Sequence, residues 1–310
     1  MLITDALNSL RMPPRRKFTV KLPARTLVLG ERTLIMGVLN VTPDSFSDGG
    51  KFLDPQKAVE HALQMEAAGA DLLDVGGEST RPGSEDTPVE EELQRVIPVL
   101  RGLQSGLKIP ISIDTRKSEV AEAAINAGAQ LINDVAGLKH DPRVAEVAAR
   151  HKAPLILMHM RGEPATMQKR PFARDVIKDV AQGLRKSIQI ARAAGVPKSQ
   201  IILDPGIGFG KSFAQNYELL QKLPMLAKLG YPLLVGASRK GFLGATRARN
   251  RKSAAPDERL WATAAAVTAS ILGGAHIVRV HDVAEMAQVV RVADCVMRPS
   301  VRASNARRFN

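Results

Sequence analysis

The sequence is poor in cysteine, since Cys295 is the only one among 310 residues and no internal disulfide can form. This scarcity is typical of proteins in the reducing cytosol. Cys295 falls within a predicted last helix, where we expect a buried structural thiol rather than a nucleophile. No apolar run reaches the roughly 18 residues that a membrane span needs. The first ten residues lack a basic start, so no signal peptide is predicted. We therefore expect a cytoplasmic chain without a membrane partner.

Several motifs of well-known enzymes are absent as well. No HExxH, CxxC or GxSxG occurs. The segment DPGIGFGKS at 204–212 is close to a phosphate-binding P-loop, but Pro205 stands where that motif needs a glycine. Its glycines are spaced GxGxG, which also excludes the GxGxxG dinucleotide fingerprint. His159 has no Cys or His neighbour at ligand spacing, which favours a substrate contact or strand-end packing over zinc.

Acidic residues are outnumbered, and the formal net charge is +13. The excess is concentrated in three places: residues 1–32 carry a net +5, residues 245–259 a net +3 and residues 291–310 a net +4. Aromatic residues make up only 4% of the chain, and no basic face interleaved with aromatics is apparent. Solvated termini therefore explain the charge better than a nucleic-acid surface. A basic nucleic-acid-binding protein is the alternative from another class, and salt-dependent DNA binding lost with the tails would identify it.

Eight short apolar runs are present, and each stops on a polar residue. Runs of four to seven apolar residues without alternation are typical of strands buried on both faces of a parallel sheet. The stretches between them have helical period and are long enough for the crossovers that parallel strands require. Eight such units predict an α/β fold, a (β/α)8 TIM barrel with its active site at the C-terminal strand ends. The runs end at Asn40, Glu78, Asp114, Asp134, His159, Asp204, Ser238 and His281.

The units follow one another without a Ser/Gly-rich linker, which predicts a single domain. We assign residues 1–32 to an N-terminal tail and a short hairpin that closes the bottom of the barrel, 33–298 to the barrel, and 299–310 to a basic C-terminal tail. Proline and glycine set the helix limits: for example, a helix is expected from Pro55 to about Ala68, and Ser118 is a predicted N-cap. Long loops at 41–54, 76–87 and 237–257 follow the first, second and seventh strands, where barrels place mobile substrate-closing elements.

Carboxylates and an amide at the strand ends form the first candidate site. Asp114 and Asp204 each end a strand, and a single such aspartate could simply cap a helix or stabilise a turn. Several acids at one barrel mouth favour function, and together with Asn133 they suit a flat, nitrogen-rich heterocycle. Asp134 is expected to hold a neighbouring backbone amide instead.

Cations and a histidine form the second candidate site. Arg239 and Lys240 directly follow a buried strand, and Arg279 and His281 lie two residues apart, so they point to the same side of an extended segment. A cation beside an imidazole suits a phosphate.

Two loops after strands contribute further candidates. Thr80 and Arg81 in ESTRPG offer another anion contact. Asn40 is a neutral oxygen ligand suited to Mg²⁺ together with substrate phosphates and water, although asparagines that form turns are common.

Taken together, these segments resemble the dihydropteroate synthase family of the folate pathway, from about Leu34 to Met297. Eight motifs in family order carry the resemblance: IMGVLNVTPDSFSDGG (35–50), DLLDVGGESTRPG (71–83), ISIDT (111–115), LINDV (131–135), LILMHMRG (155–162), ILDPGIGFGK (202–211), VGASRKGF (235–242) and VRVHDV (278–283). The resemblance implies condensation of a dihydropterin-methyl diphosphate with 4-aminobenzoate, and it also implies a homodimer.

The resemblance also implies residue roles. Pterin binding falls to Asp114, Asn133, Asp204 and Lys240, and pterin packing to Met158 and Phe209. Diphosphate binding falls to Arg279 and His281, with Asn40 acting through Mg²⁺. Thr80 is a further substrate contact, Asp48 lies in the first loop, and the aminobenzoate site is shaped by Phe46, Arg81 and Pro82. Where many relatives have serine after the lysine, this chain has Gly241, which removes a hydroxyl near the second substrate.

A mechanism follows from these groups. The aromatic amine is neutral near pH 7 and already nucleophilic, so expulsion of diphosphate is the difficult step. We expect Asp48, Lys240, Arg279 and His281 to act in a dissociative, carbocation-like substitution, with Mg²⁺, Arg279 and His281 stabilising the departing charge. Two rivals remain open: a pterin-binding methyltransferase barrel, which needs no diphosphate site, and a synthase-like barrel that binds pterin without turnover.

Overall fold

The eight apolar runs form eight parallel strands, as predicted. In the computed structural model the described residues are 15–23, 25–42, 54–79, 84, 86–163, 166–167, 171, 173–247 and 254–298. A two-stranded hairpin precedes the barrel. The strands are β1 (Phe18–Lys21), β2 (Thr26–Leu29), β3 (Leu34–Asn40), β4 (Leu72–Gly76), β5 (Ile111–Asp114), β6 (Leu131–Asp134), β7 (Leu155–Met158), β8 (Ile201–Asp204), β9 (Leu234–Val235) and β10 (Ile277–Val280).

The strands are hydrogen-bonded in the order β8-β7-β6-β5-β4-β3-β10-β9. A parallel bridge between Leu203 and Leu233 joins β8 to the segment before β9 and closes the ring. The (β/α)8 barrel is therefore confirmed, while the three domain limits stay a prediction. Four predicted strand ends were one to three residues too long, because Glu78, His159, Ser238 and His281 lie just beyond the last paired residues of their strands.

Helices lie between the strands, and their starts follow local chemistry. Pro55 occupies the first turn of its helix, where the Asp54 carboxylate accepts the backbone N–H of Gln56 at 2.9 Å. The helices are α1 (Pro55–Ala67), α2 (Val89–Leu103), α3 (Ser118–Asn126), α4 (Arg143–His151), α5 (Val176–Ala193), α6 (Phe213–Gln221), α7 (Leu223–Ala227), α8 (Gly241–Gly244), α9 (Leu260–Leu272) and α10 (Val283–Met297). Short 3₁₀ turns cover Lys198–Gln200, Ala245–Arg247 and Pro256–Arg259.

Two local predictions were wrong. Ser118 is the first helical residue of α3 rather than its N-cap, because the Asp141 carboxylate accepts the Ser118 backbone N–H at 3.0 Å and replaces a capping side chain. Cys295 is exposed rather than buried. It lies on the outward side of α10 between Val292 and Val296, which are also exposed. A helical pattern alone did not reveal which face of α10 turns outward.

The hairpin closes one end of the barrel, as predicted. Strands β1 and β2 pair antiparallel, and Val20 and Leu29 are fully buried. They join an apolar cluster with the first inward-facing residues of the barrel strands, among them Leu72, Leu131 and Ile277. We call this end the base. Its apolar packing leaves the opposite end, the C-terminal strand ends, as the place for polar chemistry.

Alternation along the strands places polar side chains above this apolar layer. Residues two apart face the same side of a strand. The inward Leu72 at the base is thus followed by Asp74, and Ile277 by Arg279. The same step leads from Leu131 to Asn133, from Ile202 to Asp204 and from Ser112 to Asp114. In the described part of the chain, no helix is long and apolar enough to cross a membrane.

Candidate active site

A network of two carboxylates, an arginine and an amide lies at the C-terminal strand ends, which we call the mouth. The Arg279 Nε donates to the Asp74 Oδ2 at 2.6 Å, and its terminal Nη2 donates to the Asp114 Oδ2 at 2.7 Å. The Asn133 Nδ2 also donates to the Asp74 Oδ2, at 2.9 Å. Asp74 is fully buried and Asn133 is 2% exposed. Four strands, β4, β5, β6 and β10, thus contribute to a single polar cluster, in which Asp74 and Asn133 are buried and Asp114 and Arg279 are half-buried.

The charges in this cluster are tightly coupled. Burial raises the pKa of Asp114 to about 8, with Asp74 adding to the rise and Arg279 opposing it. Burial works against the Arg279 charge too, but Asp74 and Asp114 raise the pKa of its guanidinium, so the arginine keeps its charge. The carboxyl oxygen Asp74 Oδ1 and the amide oxygen Asn133 Oδ1 have no hydrogen-bond partner in the described structure. Unpaired buried acceptors are costly and suit a ligand that brings N–H groups.

Asp204 lies across the mouth at the end of β8. Its Oδ1 accepts the backbone N–H of Gly206 at 2.7 Å. Burial raises the pKa of Asp204 to about 6, against the Gly206 N–H and the charge of Lys240. Among the described residues no hydrogen bond to its second carboxyl oxygen is found, so that oxygen can accept from a ligand.

Asp134 ends β6 but is structural, as predicted. Its two oxygens accept the backbone N–H groups of Ala136 at 2.8 Å, Gly137 at 3.1 Å and Leu138 at 2.6 Å. Three bonds from consecutive residues fix the turn after β6, where Leu138 has a positive φ of 65°. The carboxylate is therefore consumed by its own loop.

Lys240 and Phe209 meet at the mouth beside a small apolar cluster. The Lys240 Nζ lies 3.8 Å from the centroid of the Phe209 ring, a cation–π contact. Burial and the charge of Arg279 together lower the pKa of Lys240 to about 8. Phe209 packs with Met158 in a cluster that is completed by Val135, Met160 and Met167. The two residues expected to pack against a flat ligand thus share one apolar wall.

His281 is held neutral by its surroundings. Burial lowers its pKa to about 3, assisted by the charges of Arg279, Arg239 and Lys240. The Ser238 hydroxyl oxygen accepts the backbone N–H of His281 at 3.2 Å and lies 3.0 Å from its Nδ1. A hydroxyl that donates its hydrogen to Nδ1 leaves the other ring nitrogen, Nε2, as a donor.

A second tie joins the same two loops. Arg239 pairs with Asp282 through two hydrogen bonds, of which Nε to Oδ2 measures 3.1 Å. Arg239 has a positive φ of 58°, and the backbone is held there by its N–H bond to the Thr263 hydroxyl at 3.1 Å. Arg239 was grouped with Lys240 in the second candidate site, and here it positions the turn that carries Lys240.

Glu78, which had no predicted role, belongs to a buried ion network beside the C-terminal end of β4. It accepts from the Arg116 guanidinium in two bonds of 3.1 Å and from the Lys117 Nζ at 3.1 Å. Burial alone would raise the pKa of Glu78, but Arg116 and the Thr87 N–H lower it to about 2. Lys117 also reaches the fully buried Glu92 at 2.6 Å. The network fixes both ends of the loop after β4, since Glu78 precedes it and Thr87 follows it.

His159 packs at the C-terminal end of β7. It is 4% exposed. Burial, together with the charges of Lys211, Lys139 and Arg161, lowers its pKa to about 2. Its ring lies against Gly183 of α5, where a side-chain Cβ would clash with it. Strand-end packing, one of the two predicted roles, fits these contacts.

Asn40 ends β3 and is half-buried. Its amide makes no hydrogen bond with another residue that the structure describes, so its oxygen is available as a ligand. Among the described residues, no group of three His, Cys, Asp or Glu side chains could hold a metal by itself. An amide oxygen is one of the ligand types that Mg²⁺ takes alongside substrate oxygens and water. Five predicted site residues lie outside the described residues: Phe46, Asp48, Thr80, Arg81 and Pro82.

Two residues of the site were missed from the sequence. No role was predicted for Asp74, which lies within the motif at 71–83. An acid inside the apolar run LLDVG is nevertheless a sequence signal of a functional residue. A fully buried carboxylate requires a partner, and the inward alternation points it toward the mouth. Ser238 was recognised only as a strand end, and no sequence signal links it to His281.

Comparison with known proteins shows the family of this chain. The model of the pterin binding enzyme family matches residues 36–281. A dihydropteroate synthase of Synechocystis sp. is 50% identical over 87% of this chain and 92% of its own length. The structure of Xanthomonas albilineans dihydropteroate synthase with 4-aminobenzoic acid is 43% identical, with a TM-score of 0.84 over 91% of this chain and 99% of that one.

A third relative is the Yersinia pestis dihydropteroate synthase in complex with a sulfonamide drug. It is 41% identical, with a TM-score of 0.83, and the match covers 90% of this chain and 99% of that chain. The chain belongs to the pterin binding enzymes and, within them, to the dihydropteroate synthase family of transferases.

Proposed function

We propose that the mouth of this barrel condenses (7,8-dihydropterin-6-yl)methyl diphosphate with 4-aminobenzoate, giving 7,8-dihydropteroate and diphosphate. The observation that carries the proposal is the buried cluster of Asp74, Asp114, Asn133 and Arg279 beside the Lys240–Phe209 pair. It combines acceptors for ring N–H groups, cations for phosphate and an apolar wall for a flat ring.

The pterin is recognised by its edge and its face. Its amino group and ring N–H groups are donors, which suit the carboxylates of Asp114 and Asp204 and the free oxygen of Asn133. Burial raises the pKa of both aspartates, so the carboxyl group of Asp114 is close to its titration point near neutral pH. A protonated Asp114 would donate to a ring nitrogen. Met158 and Phe209 provide the apolar face.

The leaving diphosphate is met by donors that do not depend on a proton transfer. Arg279 uses two of its five N–H groups on Asp74 and Asp114, so three remain for phosphate oxygens. The neutral His281 offers its Nε2 hydrogen. Asn40 would hold Mg²⁺, which supplies charge neutralisation to the diphosphate. These contacts strengthen as negative charge develops on the bridging oxygen, and that differential binding lowers the barrier.

The bond changes are few. The bond from the pterin methylene to the diphosphate oxygen breaks, and a bond from the methylene to the amine nitrogen forms, with loss of one amine proton. A positive charge at the methylene is favoured by an ionised carboxylate nearby, which is Asp48 by the family resemblance and Asp114 only when it has lost its proton. Phe46, Arg81 and Pro82 are proposed to complete the aminobenzoate site, where sulfonamides should compete, and Thr80 is proposed as a further substrate contact.

We also propose a homodimer formed through the outer face of α9 and α10. Exposed large apolar side chains are concentrated there: Trp261 is 79%, Val292 65% and Val296 62% exposed. A second copy covering this face would also bury the exposed Cys295. In sedimentation experiments, the double variant Val292→Glu with Val296→Glu should be monomeric, whereas an unchanged sedimentation coefficient would refute this interface.

The function is tested by mixing the protein with the pterin diphosphate, Mg²⁺ and 4-aminobenzoate. Diphosphate release should require 4-aminobenzoate and should produce dihydropteroate in equal amount. Diphosphate release at the same rate with and without 4-aminobenzoate would indicate hydrolysis instead. Methyl transfer from methyl-tetrahydrofolate would indicate the rival methyltransferase, and pterin binding without release would indicate a barrel without turnover.

The diphosphate assignment has its own test. Arg279→Gln and His281→Gln should slow diphosphate loss much more than they weaken binding of a pterin without phosphates. Equal losses in both measurements would contradict the assignment. Ser238→Ala should behave like a mild form of His281→Gln, because it removes the group that orients the ring.

A further inference from the structure

The segment DPGIGFGKS failed as a P-loop, yet the structure gives its lysine an unusual place. Lys211 is 2% exposed, although it carries a long charged side chain. Its ammonium donates to three backbone carbonyls: His159 at 3.0 Å, Gly206 at 2.8 Å and Phe209 at 2.9 Å. An ammonium has three N–H donors, and all three are used. The loop therefore surrounds a cation with carbonyls, the reverse of a phosphate-binding loop.

Glycines allow the carbonyls to converge on this cation. Gly206 and Gly210 both have a φ of +66°, a left-handed conformation that glycine adopts without strain. A Cβ at Gly206 would clash with the His159 carbonyl, and one at Gly210 with the Arg161 carbonyl. The loop after β8 is thus pressed against the loop after β7, with Lys211 between them.

Each carbonyl that binds Lys211 belongs to a segment of the active site. Gly206, which accepts from the ammonium, donates its own N–H to the Asp204 carboxylate. The Phe209 ring lies beneath the Lys240 ammonium. The backbone N–H of His159 donates to the Asp204 carbonyl at 2.9 Å, directly after Met158. One buried cation is therefore bonded to the backbone beside Asp204, Phe209 and Met158.

We propose that Lys211 is a positioning residue for the pterin site, setting the distance between the Asp204 carboxylate and the Phe209 ring. The inference rests on the proposed function only in naming pterin as the ligand. Lys211 touches neither the reacting atoms nor the phosphate side, so its loss should weaken pterin recognition while the contacts around Arg279 and His281 stay in place.

Electrostatics are consistent with this arrangement. Burial and the charges of Lys139 and Lys240 lower the pKa of Lys211 to about 7, and the charges of Asp204 and Asp179 oppose this shift. The three carbonyl acceptors favour the ammonium, because a neutral amine has only two N–H donors. The cavity left by the side chain would be lined by carbonyl oxygens and should accept a small primary ammonium ion.

The experiment is chemical rescue. Lys211→Ala should bind a pterin without phosphates at least about tenfold more weakly and raise the KM for the pterin diphosphate, with a smaller change in the KM for 4-aminobenzoate. Methylammonium should restore most of the pterin affinity. Tetramethylammonium at equal ionic strength should not, because it has no N–H donors. Lys222→Ala is the matched control, since Lys222 is a surface lysine paired with Glu218, and it should change nothing.

Several results would overturn the proposal. These are unchanged pterin affinity in folded Lys211→Ala, equal rescue by both ammonium ions, or equal losses in every kinetic constant. Lys211→Gln keeps two N–H donors and serves if the alanine variant does not fold. Failure of both variants to fold would assign Lys211 to folding alone and refute a positioning role. If the wild-type protein binds pterin but shows no synthase activity, the proposed function fails, whereas the pterin titration still decides the role of Lys211.

Discussion

The two ends of this barrel are built from alternate inward residues of the same strands, yet they differ completely in chemistry. At the base, Leu72, Leu131 and Ile277 pack against the hairpin in a dry apolar layer. Two residues further along the same strands, at the mouth, stand Asp74, Asn133 and Arg279. A shift of two residues along a strand thus separates a layer that stabilises the barrel from a layer that binds ligand.

The polar mouth lowers the stability of the fold, because it buries charged and polar groups. Buried carboxylates lose hydration, and burial raises the pKa of Asp114, Asp134 and Asp204. The mouth also leaves buried acceptors such as the Asp74 Oδ1 without partners in the described structure. Burial of apolar surface at the base offsets such penalties. Substitutions at the two ends should therefore separate stability from activity.

The largest effect is expected at Arg279. Arg279→Met removes the partner of the fully buried Asp74, which should lower the free energy of unfolding by about 3–5 kcal/mol, and it should reduce kcat/KM by at least about 100-fold. Adding Asp74→Asn should restore most of the stability but none of the activity. Urea unfolding and the diphosphate-release assay measure the two quantities. A double variant that regains activity would show that Arg279 serves only to neutralise Asp74.

At the base the expected effect is on stability alone. Leu131→Ala or Leu29→Ala should lower the free energy of unfolding by about 2–5 kcal/mol, since both side chains are fully buried. The kcat of the folded fraction should stay within about twofold of wild type. Loss of kcat without loss of stability would mean that the base transmits its packing to the mouth, contrary to the separation described above.

The contrast between the ends also explains what could be predicted from the sequence. Apolar runs and their spacing are local signals, and they predicted the eight strands, the hairpin and the strand-end residues. The Arg279 pairing with Asp74 joins residues 205 positions apart, so only the closed barrel brings them together. Ser238 and His281 are 43 positions apart and meet because β9 and β10 pair side by side. Cys295 was misplaced because its burial depends on which face of α10 turns outward.

A smaller effect should distinguish two aspartates of the mouth. Asp134→Asn should cost about 1–3 kcal/mol of stability, because the new NH₂ group faces backbone N–H donors that lose their acceptor. Its activity should be retained. Asp204→Asn should reduce kcat/KM by about tenfold or more, with a smaller loss of stability, since Asp204 accepts from a single backbone N–H.

The two aspartates also predict a pH effect. Their pKa values, raised by burial to about 6, exceed the unfolded value of about 3.9. The native state therefore binds more protons, and their contribution to stability is lost as the pH rises from about 4 to 6. Asp204→Asn should flatten this part of the stability profile. An unchanged profile would mean that Asp204 is already ionised at pH 4.

The smallest effect compares one histidine from each end. Burial lowers the pKa of His276, at the base, to about 4 and that of His281, at the mouth, to about 3. The unfolded value is about 6.5, so below that pH the unfolded chain binds more protons than the native state. Each histidine therefore stabilises the fold fully above pH 6.5, and at pH 5 each has lost about 2 kcal/mol of that contribution.

Glutamine separates the roles of these two histidines. His276 accepts the Leu233 N–H at its Nδ1 and bonds the Arg16 carbonyl through its Nε2. A glutamine amide offers the same acceptor and donor but does not titrate. His276→Gln should therefore lose less stability than wild type between pH 7 and pH 5 while keeping its kcat. His281→Gln should show the same flattened stability profile with a low kcat, because the mouth needs that ring and the base needs only its hydrogen bonds. Parallel profiles for wild type and His276→Gln would show that His276 is not the titrating group.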